Sequence, residues 1–117
     1  MARATPLKQR TYAFAIRVVK LCRSYPRTPE GRVFCEQFLR AGTGVAANYR
    51  AACRGRSSRE FLAKIGTVIE EADESEFWLS ATRDLEIVSV PEVESLRAEA
   101  DELVAIFTQS YRTAKGD

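Results

Sequence analysis

The chain has 117 residues and a net charge of +2, with 45% hydrophobic and 29% charged residues. This length fits one folded domain with one core, and the hydrophobic fraction excludes a wholly disordered chain. No apolar run approaches the roughly 20 residues needed to cross a bilayer. Arg17 and Lys20 interrupt the only candidate for the core of a signal peptide. The sequence therefore predicts a cytoplasmic protein without membrane contact.

The first predicted helix covers residues 6–24, with Thr5 as its cap and Pro6 at its first position. Its apolar residues form two adjoining stripes, one of Tyr12, Ala15, Ile16, Val19 and Cys22, the other of Phe14, Val18, Leu21 and Tyr25. This apolar face is wider than contact with one neighbouring helix requires. It suggests a fold that is incomplete as a monomer.

The second predicted helix covers residues 29–54 and begins at Thr28-Pro29 in the same way. Gly42 and Gly44 lie in its middle, where each costs about 1 kcal/mol relative to alanine. Such residues indicate either close approach of a neighbouring helix or a local kink. The small residues Ala46 and Ala47 that follow favour close approach.

The third and fourth predicted helices cover residues 58–86 and 91–113. Ser57 with Glu60, and Ser89 with Glu92, have capping-box spacing at the two helix starts. Apolar residues then recur at three- and four-residue steps, from Phe61 to Leu79 in one helix and from Val93 to Phe107 in the other. Four helices with short connections predict an all-α, antiparallel up-down-up-down four-helix bundle, a single domain over residues 1–117.

Catalytic chemistry finds little support. The chain has no histidine, which removes Ser-His and Cys-His pairs, the usual general base and the di-metal carboxylate bundle. Cys22, Cys35 and Cys53, without a C-x-x-C motif, are interpreted as small buried hydrophobes, with a disulfide or metal role as the alternative. The acidic cluster is interpreted as solvated or ion-paired, for instance to Arg40, and it consists of Glu70, Glu71, Asp73, Glu74 and Glu76. We expect no enzyme activity, metal or cofactor.

Charge is divided unevenly, at +11 over residues 1–59 and −9 over residues 60–117. On the first helix Arg10, Arg17 and Lys20 are predicted to share a face, and Arg3 continues the same spacing before it. A second group gathers at one end of the bundle, and it consists of Arg50, Arg54, Arg56 and Arg59. Such residues neutralise phosphates in nucleic-acid-binding proteins. The alternatives are a solubilising surface, or a positive face matched to the acidic helix of a sister subunit.

Two blocks of sequence resemble a known bacterial family. They are the stretch from Leu39 to Arg54, read as R-x-G/S-T-x-V-x-A-N, and an E-x-x-E-x-x-x-W-L block that starts at Glu71. Together they are similar to the four helix bundle protein family, which includes proteins encoded in intervening sequences of 23S ribosomal RNA genes. The resemblance covers about Gln9 to Tyr111. It departs from the family at Arg50 and Ala51, where members often have an acidic residue.

The resemblance implies a ring-shaped homo-oligomer, typically a pentamer, with no established enzyme activity. It also implies an association with RNA. On this match a polar set between helices two and three is expected to fix their register, and it consists of Arg40, Asn48, Glu71 and Glu74.

Three hypotheses follow from the sequence. The first is a homo-oligomer that binds RNA or DNA through the basic residues above. The second is a protein-interaction scaffold or accessory factor whose charge division serves assembly with a protein partner. The third, and weakest, is an enzyme that uses the Glu71 and Glu74 region.

Overall fold

The computed structural model describes residues 4–116, with side chains from Pro6 onward, so Arg3 lies outside the described residues. It contains α1 (Ala4–Cys22), α2 (Pro29–Cys53), α3 (Ser58–Asp84) and α4 (Pro91–Lys115). Residues 4–116 contain no strand. The predicted all-α four-helix bundle is confirmed, and the helix ends differ from the prediction by at most two residues. Because α1 begins at Ala4, Thr5 lies inside the helix rather than before it.

Of the four predicted helix caps, Thr28 and Ser57 are confirmed, whereas Thr5 and Ser89 are not. The Oγ1 of Thr28 accepts a 3.1 Å hydrogen bond from the Gly31 N–H, and the Oγ of Ser57 accepts one of 3.1 Å from the Glu60 N–H. At α4 the cap residue is Val90, which has no side-chain acceptor. The Ser89 capping box therefore does not form, since Glu92 is engaged with α1 instead.

The core follows the predicted stripes on all four helices. In α1 the buried stripe is the one that contains Phe14, Val18 and Leu21. The centre of the bundle is filled by fully buried side chains that include Phe38, Val45, Ile65, Val68, Leu79, Leu96, Leu103 and Phe107. Fully burying one such side chain contributes about 1.5–3 kcal/mol to stability, so this set provides most of the driving force for folding.

The other predicted stripe of α1, from Tyr12 to Cys22, faces outward only in part, since Ala15 is buried. Tyr12 is 56% exposed and Ile16 is 38% exposed, whereas Phe14 between them is 1% exposed. Within the described residues, this leaves two large apolar side chains on the solvent side of α1, one helical turn apart. We call Tyr12 and Ile16 the outer stripe.

Each helix packs against the helices next to it in chain order, and α1 closes the bundle against α4 with the lightest contact. The resulting rod measures 44 × 22 × 21 Å. One end brings together the start of α1, the α2–α3 turn and the end of α4. The other end holds the α1–α2 and α3–α4 turns, where the hydroxyls of Tyr25 and Thr82 are 2.7 Å apart in the core.

Two glycines of α2 allow close approach of neighbouring side chains. A Cβ added at Gly42 would lie 2.6 Å from a methyl group of Val18 on α1, and one at Gly44 would lie 3.0 Å from the carboxylate of Glu71 on α3. These close approaches support the predicted close packing, and α2 continues as one helix through both positions. No helix within residues 4–116 is long and apolar enough to cross a membrane.

Candidate nucleic-acid interface

Four of the arginines predicted to bind phosphate lie together around the α2–α3 turn. Arg50 is in the last turn of α2, Arg54 is its C-cap, Arg56 is in the turn, and Arg59 is in the first turn of α3. All four side chains are exposed. Among the described residues, no carboxylate forms an ion pair with any of them. They are therefore free to meet an external anion.

The antiparallel order adds three cations that the sequence reasoning missed. One cleft at this end is lined by Lys8 of α1, Gly55 of the turn, and Thr113 and Ala114 of α4. The last turn of α4 also contains Arg112 and Lys115. The predicted helix order could have identified them, because it places the end of α4 beside the α2–α3 turn. We call the whole group the basic end, and it consists of Lys8, Arg50, Arg54, Arg56, Arg59, Arg112 and Lys115.

The basic end contains almost no negative charge. Across residues 49–64 and 110–116 the only acidic residue is Glu60, and its carboxylate accepts a 3.0 Å hydrogen bond from the Arg56 backbone N–H. At the opposite end of the rod, arginines and lysines alternate with acidic residues such as Glu30, Asp84 and Glu86. Lys20 lies toward that mixed end, away from the basic end.

Arg10 and Arg17 face α4 rather than forming a free basic surface. The Nε and Nη2 of Arg10 donate to the two carboxylate oxygens of Glu99, each at 2.8 Å. The Nε and Nη2 of Arg17 donate in the same way to the two carboxylate oxygens of Glu92, at 2.9 and 3.0 Å. These hydrogen bonds raise the pKa of both arginines and lower the pKa of Glu92 below its usual range. Of the seven residues predicted to bind phosphate, Arg10 and Arg17 are therefore engaged in ion pairs within the subunit.

An apolar cleft of about 430 Å³ opens within the basic end. Its lining includes Tyr49, Phe61, Ile65 and Leu7, with Lys8 at the margin. Burial is the main cause that raises the pKa of Tyr49, and a hydrogen bond with Cys53 adds to it. The phenol therefore stays neutral at ordinary pH, and the cleft presents aromatic and aliphatic surface among cations.

The predicted polar set is joined only in part. Arg40 of α2 forms ion pairs with Glu71, at 3.5 Å, and with Glu74 of α3. Burial is the main cause that raises the pKa of Glu71, while Arg40 opposes it. Asn48 forms no hydrogen bond with this group among the described residues, and its side-chain amide instead donates at 3.0 Å to the Gly44 carbonyl of its own helix.

Three carboxylates of the acidic cluster of α3 form ion pairs with neighbouring helices. Besides the pairs with Arg40, Glu76 meets Arg97 of α4 at 3.3 Å. Among residues 4–116, no group of three or more histidine, cysteine or acidic side chains is arranged to hold a metal ion.

Comparison with known proteins agrees with this fold. The family model described as 23S rRNA-intervening sequence protein matches residues 5–109. A crystal structure of a protein of unknown function, from the S23 ribosomal protein family of Bacteroides thetaiotaomicron VPI-5482, is also similar. It has 28% sequence identity and a TM-score of 0.82, and the match covers 90% of this chain and 97% of that chain. No protein with a curated description matches the chain.

The match to the family model spans all four helices, including both sequence blocks on α2 and α3. The chain belongs to the family of 23S rRNA-intervening sequence proteins.

Proposed function

We propose that this protein is a homo-oligomeric, non-enzymatic RNA-binding protein that contacts RNA phosphates through the basic end. The observation that carries the proposal is the arrangement of Arg50, Arg54, Arg56 and Arg59, which are exposed and form no ion pair within the described residues. Phosphate contacts provide most of the affinity of nucleic-acid-binding proteins, and the planar guanidinium group binds phosphate through two hydrogen bonds.

The apolar cleft supports RNA in preference to double-stranded DNA. Single-stranded RNA loops present unstacked bases that can bury against aromatic side chains, while cations around them hold the backbone. Phe61, which is half-buried at the cleft, and Lys8 beside it offer this combination, while the buried Tyr49 forms the cleft floor. A DNA duplex has no free base to place there.

A titration of a fluorescent RNA stem-loop, followed by anisotropy at two salt concentrations, tests the proposal. The variant Arg54→Gln/Arg56→Gln removes two cations of the basic end and is expected to bind about tenfold more weakly or worse. Its plot of log affinity against log salt is expected to be shallower by about 1.4, since each lost contact to a single strand removes about 0.7 from the slope.

The matched control is Arg23→Gln/Arg27→Gln, which removes the same charge from two exposed arginines at the mixed end. This control is expected to bind the stem-loop like the unmodified protein. Equal losses of affinity in both variants would show that the effect comes from net charge alone and not from the basic end. The absence of micromolar binding at low salt would overturn the proposal.

The outer stripe favours a second candidate function, that of a protein-interaction scaffold or accessory factor. Tyr12 and Ile16 are large, apolar and exposed on α1, which is an arrangement typical of an association surface. Under this hypothesis the cations of the basic end serve solubility, and the stem-loop titration gives no binding.

A further inference from the structure

Two of the three cysteines lie face to face across the contact between α1 and α2. The Sγ of Cys22 is 3.8 Å from the carbonyl oxygen of Cys35, and the Sγ of Cys35 is 3.6 Å from the carbonyl oxygen of Cys22. Reciprocal contacts of this kind require that both backbones approach closely and that both side chains point across the same gap.

A disulfide bond requires two side chains that face each other across one gap, and the reciprocal contacts place Cys22 and Cys35 in this way. A disulfide joins residues whose Cα atoms are about 4.4–6.8 Å apart and whose Cβ atoms point toward each other. Cys22 is the last residue of α1 and Cys35 lies in the second turn of α2, so the α1–α2 turn already brings them together. Cys53 lies at the opposite end of the rod, in the cleft of the basic end.

The pair is open to solvent through a cleft with a positive margin. Both cysteines line a depression of about 400 Å³, and its charged lining is Arg23, Arg27 and Arg32 with one carboxylate, Glu36. Each sulfur-bearing residue is half-buried rather than sealed in the core. A small anionic reagent can therefore reach the thiols, and the three arginines attract its carboxylates.

We propose that Cys22 and Cys35 are a redox modification site, which an anionic low-molecular-weight disulfide such as oxidised glutathione converts to an intramolecular disulfide. The thiolate of one cysteine attacks the reagent, forms a mixed disulfide and releases one glutathione thiolate. The second cysteine thiolate then attacks the protein sulfur of that mixed disulfide and releases the other glutathione. The two cysteines lose two protons and two electrons, and one glutathione disulfide becomes two glutathione thiols.

The rate of this exchange is expected to depend strongly on pH. Burial, with a contribution from Cys35, raises the pKa of Cys22 to about 12. Because only the thiolate attacks, the step that uses Cys22 keeps accelerating above pH 9 instead of levelling off there. Slow exchange at neutral pH suits a site that responds to sustained oxidation.

Peptide mapping of the unmodified protein tests the proposal directly. The protein is equilibrated with mixtures of reduced and oxidised glutathione, alkylated, and digested with trypsin, which places the three cysteines in the separate peptides 21–23, 33–40 and 51–54. We expect peptides 21–23 and 33–40 to become joined, while the peptide of Cys53 is alkylated. Full alkylation of all three cysteines under oxidising mixtures, or glutathione retained on Cys22 or Cys35 without ring closure, would overturn the proposal.

Variants and thermal melting complete the test. Cys53→Ser is the matched control and is expected to form the cross-link, whereas Cys35→Ser is expected to retain a glutathione adduct on Cys22. Closing the short loop between residues 22 and 35 is expected to raise Tm by about 10 °C. A cross-link that left Tm unchanged or lowered it would show that the helices have to move for it to form, contrary to the proposal.

Discussion

At the scale of single residues, two helical glycines of this chain differ in the space around them. Gly42 faces Val18 across the α1–α2 contact, and an added Cβ would overlap the valine methyls at 2.6 and 2.7 Å. A Cβ added at Gly66 on α3 would have no neighbouring atom within 4 Å. Intrinsic helix propensity treats both positions alike, so their surroundings decide the effect of a substitution.

Gly42→Ala is therefore expected to destabilise the protein by about 1–3 kcal/mol, because overpacking against Val18 outweighs the gain in helix propensity. The matched variant Gly66→Ala is expected to stabilise the protein by up to about 1 kcal/mol, since only the gain in propensity remains. Urea unfolding followed by circular dichroism measures both. Stabilisation by Gly42→Ala would contradict the close approach of α1 and α2.

The residue scale also shows where sequence reasoning stops. Spacing predicted that Glu71 and Glu74 would meet an arginine such as Arg40, and they do. The interpretation of Arg10 and Arg17 as part of a free basic surface could not include their partners, because Glu99 and Glu92 are more than seventy residues away in sequence. The amide of Asn48 donates to a carbonyl four residues earlier in its own helix. A sequence pattern does not show whether such an amide binds its own helix or a side chain of the neighbouring helix.

At the scale of helices, α1 is held in two different ways. Toward α2 it packs closely through Val18 against Gly42. Toward α4 its contact is light, and the ion pairs of Arg10 with Glu99 and of Arg17 with Glu92 lie along that seam. The helix boundaries and buried stripes were predictable from periodicity, but this unequal attachment was not, because periodicity does not rank the neighbours of a helix.

The Arg10–Glu99 pair is expected to contribute measurably, because the Glu99 side chain is only 17% exposed. Arg10→Gln leaves that carboxylate without its partner and is expected to cost about 1–2 kcal/mol. Arg17→Gln is expected to cost less, since Glu92 is 39% exposed and water replaces the lost contact more readily.

Urea unfolding at low and high salt measures both losses, and the double variant Arg10→Gln/Glu99→Gln, compared with each single variant Arg10→Gln and Glu99→Gln, gives the coupling between the two side chains. We expect the double variant to be more stable than Arg10→Gln alone. A double variant no more stable than the single one would show that the pair does not stabilise the α1–α4 seam.

At the scale of the whole molecule, part of the division of charge is used inside the subunit. Arg10 and Arg17 of α1 pair with glutamates of α4, and Arg40 of α2 pairs with glutamates of α3, while the cations of the basic end stay unpaired within the described residues. The outer stripe remains uncovered on α1, with Tyr12 at 56% exposure. We therefore propose that assembly into a ring, with five copies as the expected number, proceeds through the outer stripe rather than through charge.

Light scattering of the unmodified protein at micromolar concentration is expected to give the mass of several copies. Tyr12→Glu/Ile16→Glu places charge in the outer stripe and is expected to shift the mass to a single copy, because burying an unpaired carboxylate is costly. Val33→Glu changes an apolar residue of α2 that is 52% exposed, and it is expected to leave the assembly intact. A single-copy mass for the unmodified protein would contradict the ring.

The basic end has a geometric consequence for such an assembly. Each subunit is a rod 44 Å long and about 22 Å wide, with its unpaired cations at one tip. In a ring whose rods stand side by side in the same direction, all tips lie on one face, about one rod width apart. A single RNA strand held by one tip would then meet the next tip at a high effective concentration, so weak individual contacts would add up to tight, multivalent binding.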